Sequence, residues 1–591
     1  MAPTDFHSET FAATRPHRPT VMATRHAVAG GHPWTAQAGF EILEAGGNAF
    51  DAGVAMGIAT NVLESQFTSF SGVAPSLLYS AERREVMALS GVGVWPKAAS
   101  VAFFRDNHEG RIEGIWNGIV PGAPDTWLTV LDEFGTMSFA DVAGAAIRFA
   151  RDGFPMYPFM AHIIESTADQ YRRWPSNAAI YLPGGRPPKV GEMFVQADLG
   201  ATLQYLADEE SAHRNDGRKA GIAAARRAFY AGDVATRFAR FHAENGGLLT
   251  AQDMAGFRMR LEPPSRIRAR GVDVYAGGPY CQGPSMLQAL AILDSVDLAA
   301  MGHNSADYAH TILETVKLVA ADREACFGDP YVLDVPLEAL LSSDYAAERR
   351  AMIRPNEAWP DMPPAGAIAG RAWPTTDDAA AGLRTEAAQA ASGEAALSNT
   401  SYFCVIDREG NMFSSTPSDG QGQGPVVPGT GLVPSTRGLA SWTDPDHPNC
   451  VAAGKRPRLT MGPALAIAED EVFMPFGTPG SDVQLQAMLQ VFLNIFLFGM
   501  DPQTAIEAPR FATYSFPAAF VPHGYDPGAA KAEPGLGQDA FDTLSARGHK
   551  MAWWEERAWP AGSLCVIHKD LGSGVMRAAA DPRRTAYAAG W

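Results

Sequence analysis

Cysteine is scarce in this chain of 591 residues, and what there is cannot build a framework. The five cysteines, Cys281, Cys326, Cys404, Cys450 and Cys565, are odd in number, far apart and never spaced CxxC. That pattern excludes both a disulfide scaffold and a zinc knuckle. Long apolar runs are missing as well: the longest, "MLQVFLNIFLFGM" from Met488, is too short to span a bilayer and carries Gln490 and Asn494. Residues 1–30 hold no apolar segment of the signal-peptide kind, so a soluble cytoplasmic protein is expected. Basic residues are in deficit, with a formal net charge of −18 and no basic face or tail, which excludes nucleic acid and anionic membrane as partners. There is no GxxxxGK[ST] phosphate loop, no HExxH helix and no GxSxG elbow. The glycine-rich "GQGQGPVVPGTG" at 420–431 follows no strand-to-helix turn and reads as a loop. No metal and no cofactor is expected.

What is present is ordinary globular material, 46% hydrophobic, enough for a sizeable core. Residues 32–64 carry two helical patterns: Ala38, Ile42 and Ala45 recur at helical spacing in the first, and Ala52, Ala55, Met56 and Ala59 in the second, with Gly46, Gly47 and Asn48 between. A third helix is predicted after "GIVPGAPDTW" and a fourth over 305–326. Strand-like runs fall at 85–89, 272–276, 402–406, 412–416, 471–475 and 563–568. Helices and strands come in blocks without a regular βαβ rhythm, which favours mixed sheets under helical layers.

An Ala- and Gly-rich tract from about 363 to 399 reads as a mobile linker and runs straight into an apolar strand through "SNTS". The strand at 402–406 is apolar throughout, as a strand buried on both faces is, and "DREGN" at 407–411 supplies a hairpin turn, Asn411 being a turn residue. Thr400 therefore stands at the mouth of a core strand. Taken alone, this is either a plain loop-to-strand junction or the seat of a nucleophile. Residues 472–494 read as a strand, a turn at 477–481 and an amphipathic helix; the backbone donors of such a turn either hold an oxyanion or merely connect two elements.

The blocks "HPWTAQAGFEILEAGGNAFDA", "GIVPGAPDTW", "EFGTMSFADVAGAAIRFARDGFPM", "SADYAHTILETVKLVAADREACFGDP", "NTSYFCVIDREGNM", "GKRPRLTMGPAL" and "GTPGSDVQLQAMLQVFLNIFLFGMDPQTAIEAPR" decide between these readings. In this order, from about residue 20 to the C-terminus, they resemble the γ-glutamyltranspeptidase family of N-terminal nucleophile (Ntn) hydrolases. The resemblance implies an α+β fold, a four-layer αββα sandwich. It implies a precursor that cuts itself between Asn399 and Thr400 into a large region, 1–399, and a small region, 400–591, which stay associated. Thr400 would then be the nucleophile and its freed α-amine, with a reference pKa of about 7.7 to 8.0, the base. Ser418 matches the family's second threonine, which supports the nucleophile. Gly480 and Ser481 would supply the oxyanion donors, worth about 2.7 to 4 kcal/mol each in other enzymes.

The departures matter too. Val94 stands where the family has an arginine for the substrate α-carboxylate, and Ala440 where it has an aspartate for the amine. Leu459 and Thr460 replace paired serines. The block "VVPGTGLVPSTRGLASWTDPDHPN" is instead similar to the branch of oxamate amidohydrolase and related acylases, with Arg437 as carboxylate anchor. The expected partner is a small-molecule amide, an acid amide or N-acyl compound, hydrolysed with or without competing acyl transfer; a homo-oligomer is compatible with this. The alternatives are a genuine γ-glutamyl hydrolase or transferase acting on glutathione-type substrates, and a non-catalytic binding or scaffold relative.

Overall fold

The computed structural model describes residues 16–368 and 400–591. Its centre is a pair of seven-stranded sheets. The first runs, in spatial order, Tyr587–Gly590, Ala27–Gly30, Phe403–Ile406, Met412–Ser415, Ser76–Ser80, Glu85–Leu89 and Leu261–Glu262. The second runs Val21–Ala23, Met576–Ala580, Cys565–Asp570, Val472–Gly477, Ala464–Ala468, Val272–Ala276 and Ser265–Ala269. Every neighbouring pair in both is antiparallel. Each sheet draws strands from both sides of residue 400: Cys404 stands opposite Ala29 on one flank and Ser414 on the other, and Ser414 opposite Leu77.

Side-chain alternation builds the layers. Tyr402, Cys404 and Ile406 point inward with Ala29 and Leu77 to meet Leu465, Ile467, Cys565 and Ile567 of the other sheet. Phe403 and Val405 point outward into the helices Ala49–Leu63 and Ala123–Phe134. This is why the strand carries no polar alternation: a helical layer covers one face and a second sheet the other. On the far side, Val274, Ala466, Met474 and Val566 pack against the helices Gly283–Leu293, Ala306–Cys326 and Gln484–Phe496. The order is helix, sheet, sheet, helix, the αββα sandwich expected of the resemblance.

Local chemistry sets the element ends. Asn48 caps Ala49–Leu63 in a reciprocal capping box with Asp51, and Ser305 caps Ala306–Cys326. The apolar stretch at Met488 falls largely in the helix Gln484–Phe496, which is buried throughout, and the amides of that helix satisfy a neighbouring edge. Gln486 accepts from Thr513 N at 2.9 Å and donates to Thr513 O at 3.0 Å, while Gln490 donates to Phe511 O at 2.8 Å. The five cysteines are free. No helix among the described residues is long and apolar enough to cross a membrane.

The first residues of the predicted linker are packed. Ile368 is buried with Cys326, Phe327, Leu340 and Tyr345, and Gly366 N donates to Asp322 Oδ1 at 2.9 Å. An apolar side chain next to an apolar cluster is held by burial, whatever the composition that follows it. The remainder of that tract, with Asn399, lies outside the described residues.

Candidate active site

Thr400 is buried at the start of its strand and forms an isolated antiparallel bridge with Ser418, reinforced by Ser401 N donating to Pro417 O at 3.0 Å. The bridge brings two hydroxyls together: Thr400 Oγ1 lies 2.8 Å from Ser418 Oγ. Ser418 and Asp419 also pair with Thr68–Val73, and the register shifts between them, a bulge of the kind that re-aims a side chain. Asp419 is left-handed, with φ of 95°, and is held there by Thr436 N at 2.9 Å and by the hydroxyls of Ser435 and Thr436.

Arg437 opens the short 3₁₀ turn Arg437–Ala440 and is fully buried. Its Nη2 donates to Ser418 Oγ at 2.7 Å, its Nε lies 3.8 Å from Asp419 Oδ1, and its guanidinium sits 4.9 Å over the Phe520 ring. Burial pulls its pKa below the usual arginine value, and Asp419 opposes this. Expected from the resemblance as a substrate anchor, Arg437 is placed in line with Ser418 and Thr400.

The opposite flank of Thr400 holds residues that the sequence did not announce. Arg584 Nη1 donates to Thr400 O at 3.2 Å from among the rings of Phe67, Trp559 and Phe159, 5.1, 5.1 and 5.9 Å from its centre. Ser401 Oγ donates to Glu64 Oε2 at 2.7 Å. Burial pushes the Glu64 carboxyl up to about 7, against the pull of Ser401 and Arg584; burial also draws Arg584 down to about 10. The one sequence signal for Glu64 is its place at the end of an otherwise uncharged helical run after Asp51.

The turn after Val472–Gly477 sits beside this site. A Cβ on Gly477 would meet the Tyr402 ring at 2.3 Å, so the strand end approaches Tyr402 as closely as glycine allows. Gly480 and Ser481 follow with φ of 134° and 51°. The turn is braced from beneath: Gln282 Nε2 donates to Ser481 O at 3.1 Å, and Arg323 Nη1 reaches both Gln282 Oε1 at 3.1 Å and Asp482 Oδ1 at 2.7 Å. The Gln484 amide oxygen, once the amide is turned to suit its neighbours, accepts from Ser481 N at 3.3 Å.

The other expected site residues divide. Thr460 lines a small cavity with Gln282, Gly283 and Gln484 next to that turn. Leu459 packs in a core cluster with Val73, Val92, Trp95 and Tyr280. Val94 lines a cavity of about 360 Å³ with Trp95, Glu262, Asp329 and Arg456. Ala440 is buried, its carbonyl accepting from Asn449 Nδ2 at 2.6 Å. Asn411 is a hairpin residue: its Nδ2 donates to Asp407 Oδ2 at 2.8 Å and its Oδ1 accepts from Ala81 N at 2.9 Å.

Among the described residues, His310, Glu314 and His549 form the one grouping with metal-ligand proximity. Lys317 Nζ already lies 2.7 Å from Glu314 Oε1 there, and His310 Nδ1 lies 2.9 Å from His549 Nε2. A fixed ammonium on the only carboxylate makes this a hydrogen-bonded cluster unfavourable to a cation.

Comparison with known proteins shows the family. The family model described as Gamma-glutamyltranspeptidase matches residues 35–591. The chain belongs to that family. It is 30% identical over 542 residues to the Acylase ACY 1 proenzyme of Pseudomonas sp. (strain SE83), covering 89% of this chain and 87% of the relative. It is 27% identical over 572 residues to the Glutathione hydrolase proenzyme of Bacillus subtilis (strain 168), covering 95% and 91%. The crystal structure of a cephalosporin acylase from Bacillus halodurans superposes with a TM-score of 0.82 at 28% identity, covering 97% of each chain. This member of the γ-glutamyltranspeptidase family is a hydrolase acting on amides, which sets aside the scaffold alternative.

Proposed function

We propose that the chain is a self-processing amidohydrolase whose nucleophile is the Thr400 hydroxyl. The Thr400 oxygen attacks the substrate amide carbon, and its proton passes to the α-amine that cleavage at Asn399-Thr400 exposes. The tetrahedral oxyanion rests on the N–H groups of Gly480 and Ser481, the latter exchanging its contact with the Gln484 amide oxygen for the oxyanion. As the C–N bond breaks, the leaving amine takes the proton back. Water then attacks the acyl-enzyme ester, giving one proton to the Thr400 α-amine, which passes it to the Thr400 oxygen as the ester C–O bond breaks and the acid leaves. The observation carrying this reading is the 2.8 Å approach of Thr400 Oγ1 to Ser418 Oγ at the mouth of a doubly buried strand.

The substrate we infer is a small acid amide or N-acyl compound. Val94 and Ala440 offer no charge to a glutamyl group, and two of the relatives above are acylases. The glutathione hydrolase relative, matched along 95% of this chain, supports a second reading in which other residues recognise a γ-glutamyl group. Purified protein resolved under denaturing conditions, with the small fragment sequenced from its N-terminus and assayed on a panel of amides, tests the proposal. A single intact band with full turnover overturns it.

A further inference from the structure

We propose that Gln282 and Arg323 are positioning residues for turnover, which hold the turn at Gly480 and Ser481 in the shape that receives the oxyanion. The inference rests on the proposed function, with Thr400 as nucleophile and that turn as the oxyanion seat. Ser481 is the residue that needs holding: its φ of 51° is a left-handed conformation that a residue with a side chain keeps only where its surroundings impose it. Its own N–H is bonded to the Gln484 amide oxygen at 3.3 Å, a contact the reaction gives up. The restraint therefore comes from the other side of the residue, the peptide that follows it. Gln282 Nε2 donates to Ser481 O at 3.1 Å, and Arg323 Nη1 grips the next side chain, donating to Asp482 Oδ1 at 2.7 Å. Asp482 Oδ2 accepts in addition from Ala519 N at 2.9 Å.

Arg323 gives this brace its sense. A guanidinium only donates, so the Gln282 oxygen faces Arg323 Nη1, at 3.1 Å, and the Gln282 nitrogen is left for Ser481 O. The guanidinium is itself held on every side. It is buried, its Nε donates to Glu324 Oε1 at 2.8 Å and its Nη2 to Pro517 O at 3.4 Å, and it lies 5.1 Å over the Phe516 ring. Glu324 is fixed in turn by Arg458, whose Nη2 donates to both carboxylate oxygens at 2.7 and 2.8 Å. The pairing also has an electrostatic side: Asp482 follows the turn directly, and the Arg323 charge offsets a carboxylate that would otherwise oppose an oxyanion there. The brace spans the proposed cut, with Gln282 and Arg323 before residue 400 and Ser481 and Asp482 after it.

The test compares wild type with Gln282→Met, Arg323→Lys and the Gln282→Met/Arg323→Lys double variant. It measures kcat and KM, per mole of small fragment, on the best substrate of the amide panel, with thermal melting alongside. Gln282→Met removes the donor to Ser481 O and leaves the Arg323–Asp482 pair in place. It should lower kcat at least about tenfold, since misplacing a reacting contact by about 1 Å costs up to about a hundredfold, with KM changed less than about twofold, the mark of an interaction made in the transition state. Arg323→Lys keeps the charge, but one ammonium cannot reproduce the fork that serves Gln282, Asp482 and Glu324 together, so kcat should fall there too. The double variant should lose less than the product of the single losses, because both changes release the same turn. Wild-type kcat in Gln282→Met, a loss seen in KM alone, or fully multiplicative losses in the double variant overturns the proposal. A Gln282→Met chain that does not fold, or that folds and stays uncut, overturns it as well, since the brace is assigned to turnover. Should Arg323→Lys not fold, Gln282→Met decides alone. Failure of the underlying reading shows separately, as turnover by Thr400→Ala.

Discussion

Ser401 fastens Glu64 to the mouth of the strand that follows Thr400, its Oγ donating to the carboxylate at 2.7 Å. The two are 337 residues apart in sequence. A buried carboxyl held this way is sensitive to pH, and the sign follows from its raised pKa. Its contribution to stability is fully present below the ordinary value of 4.5 and is lost as pH rises through about 7. Glu64→Gln copies the protonated form. Between pH 4.5 and 8, wild type should lose on the order of 2–3 kcal/mol relative to Glu64→Gln. Thermal melting across that range measures it, and parallel curves for the two proteins would refute a titrating Glu64.

Thr400→Ala should abolish both cutting and turnover, while Thr400→Ser should keep part of each, since the hydroxyl and the α-amine are the groups the proposed mechanism uses. Ser418→Ala should be milder, removing a hydrogen bond and leaving the nucleophile. Fragment masses and steady-state rates decide; turnover by Thr400→Ala at the wild-type level would end the covalent mechanism.

Acylation should rise with pH along an apparent pKa belonging to the Thr400 α-amine, because only the neutral amine accepts a proton. Pre-steady-state acylation between about pH 5 and 9, a span crossing the reference amine pKa, should show the rise. A flat profile contradicts an amine base.

A chromogenic γ-glutamyl anilide should be cleaved at least about a hundredfold less efficiently than the best acid amide or N-acyl substrate, a factor corresponding to about 2.7 kcal/mol. The substrate's two charges would find Val94 and Ala440 at the positions that match the family's charged readers. Comparing kcat/KM across a panel tests this; a γ-glutamyl anilide at the top would favour the second reading.

Gly477→Ala should destabilise the fold by about 1–3 kcal/mol, the usual cost of overpacking, because its methyl would enter the Tyr402 ring at 2.3 Å. Urea unfolding measures the loss, and an unchanged midpoint would mean that the ring moves aside freely.

The sequence disclosed what is local. The apolar strand beside Thr400, its "DREGN" hairpin and the glycine turn before Gln484 have periodicity and turn chemistry that short windows carry, and each is in place. It could not disclose Arg584 or Glu64. Their partners, the Thr400 carbonyl and the Ser401 hydroxyl, lie 184 and 337 residues away, and neither side chain stands in a recognisable spacing. Arg437 was visible as a residue, but its contact with Ser418 depends on a bulge and a 3₁₀ turn that no pattern encodes. Ile368 shows the converse: low-complexity neighbours hid an apolar side chain that finds a cluster.

The interleaving of strands from both sides of residue 400 would give the proposed processing step a direction. Neither region holds the whole of either seven-stranded sheet, so a cut at Asn399-Thr400 would divide the chain without dividing the fold: Phe403–Ile406 would remain seated between Ala27–Gly30 and Met412–Ser415. Once such a pair of fragments is unfolded, it must find two partners where the precursor needed one chain, and the encounter becomes a second-order event. Activation would thus be a ratchet, with folding done once under the tether and the tether then discarded.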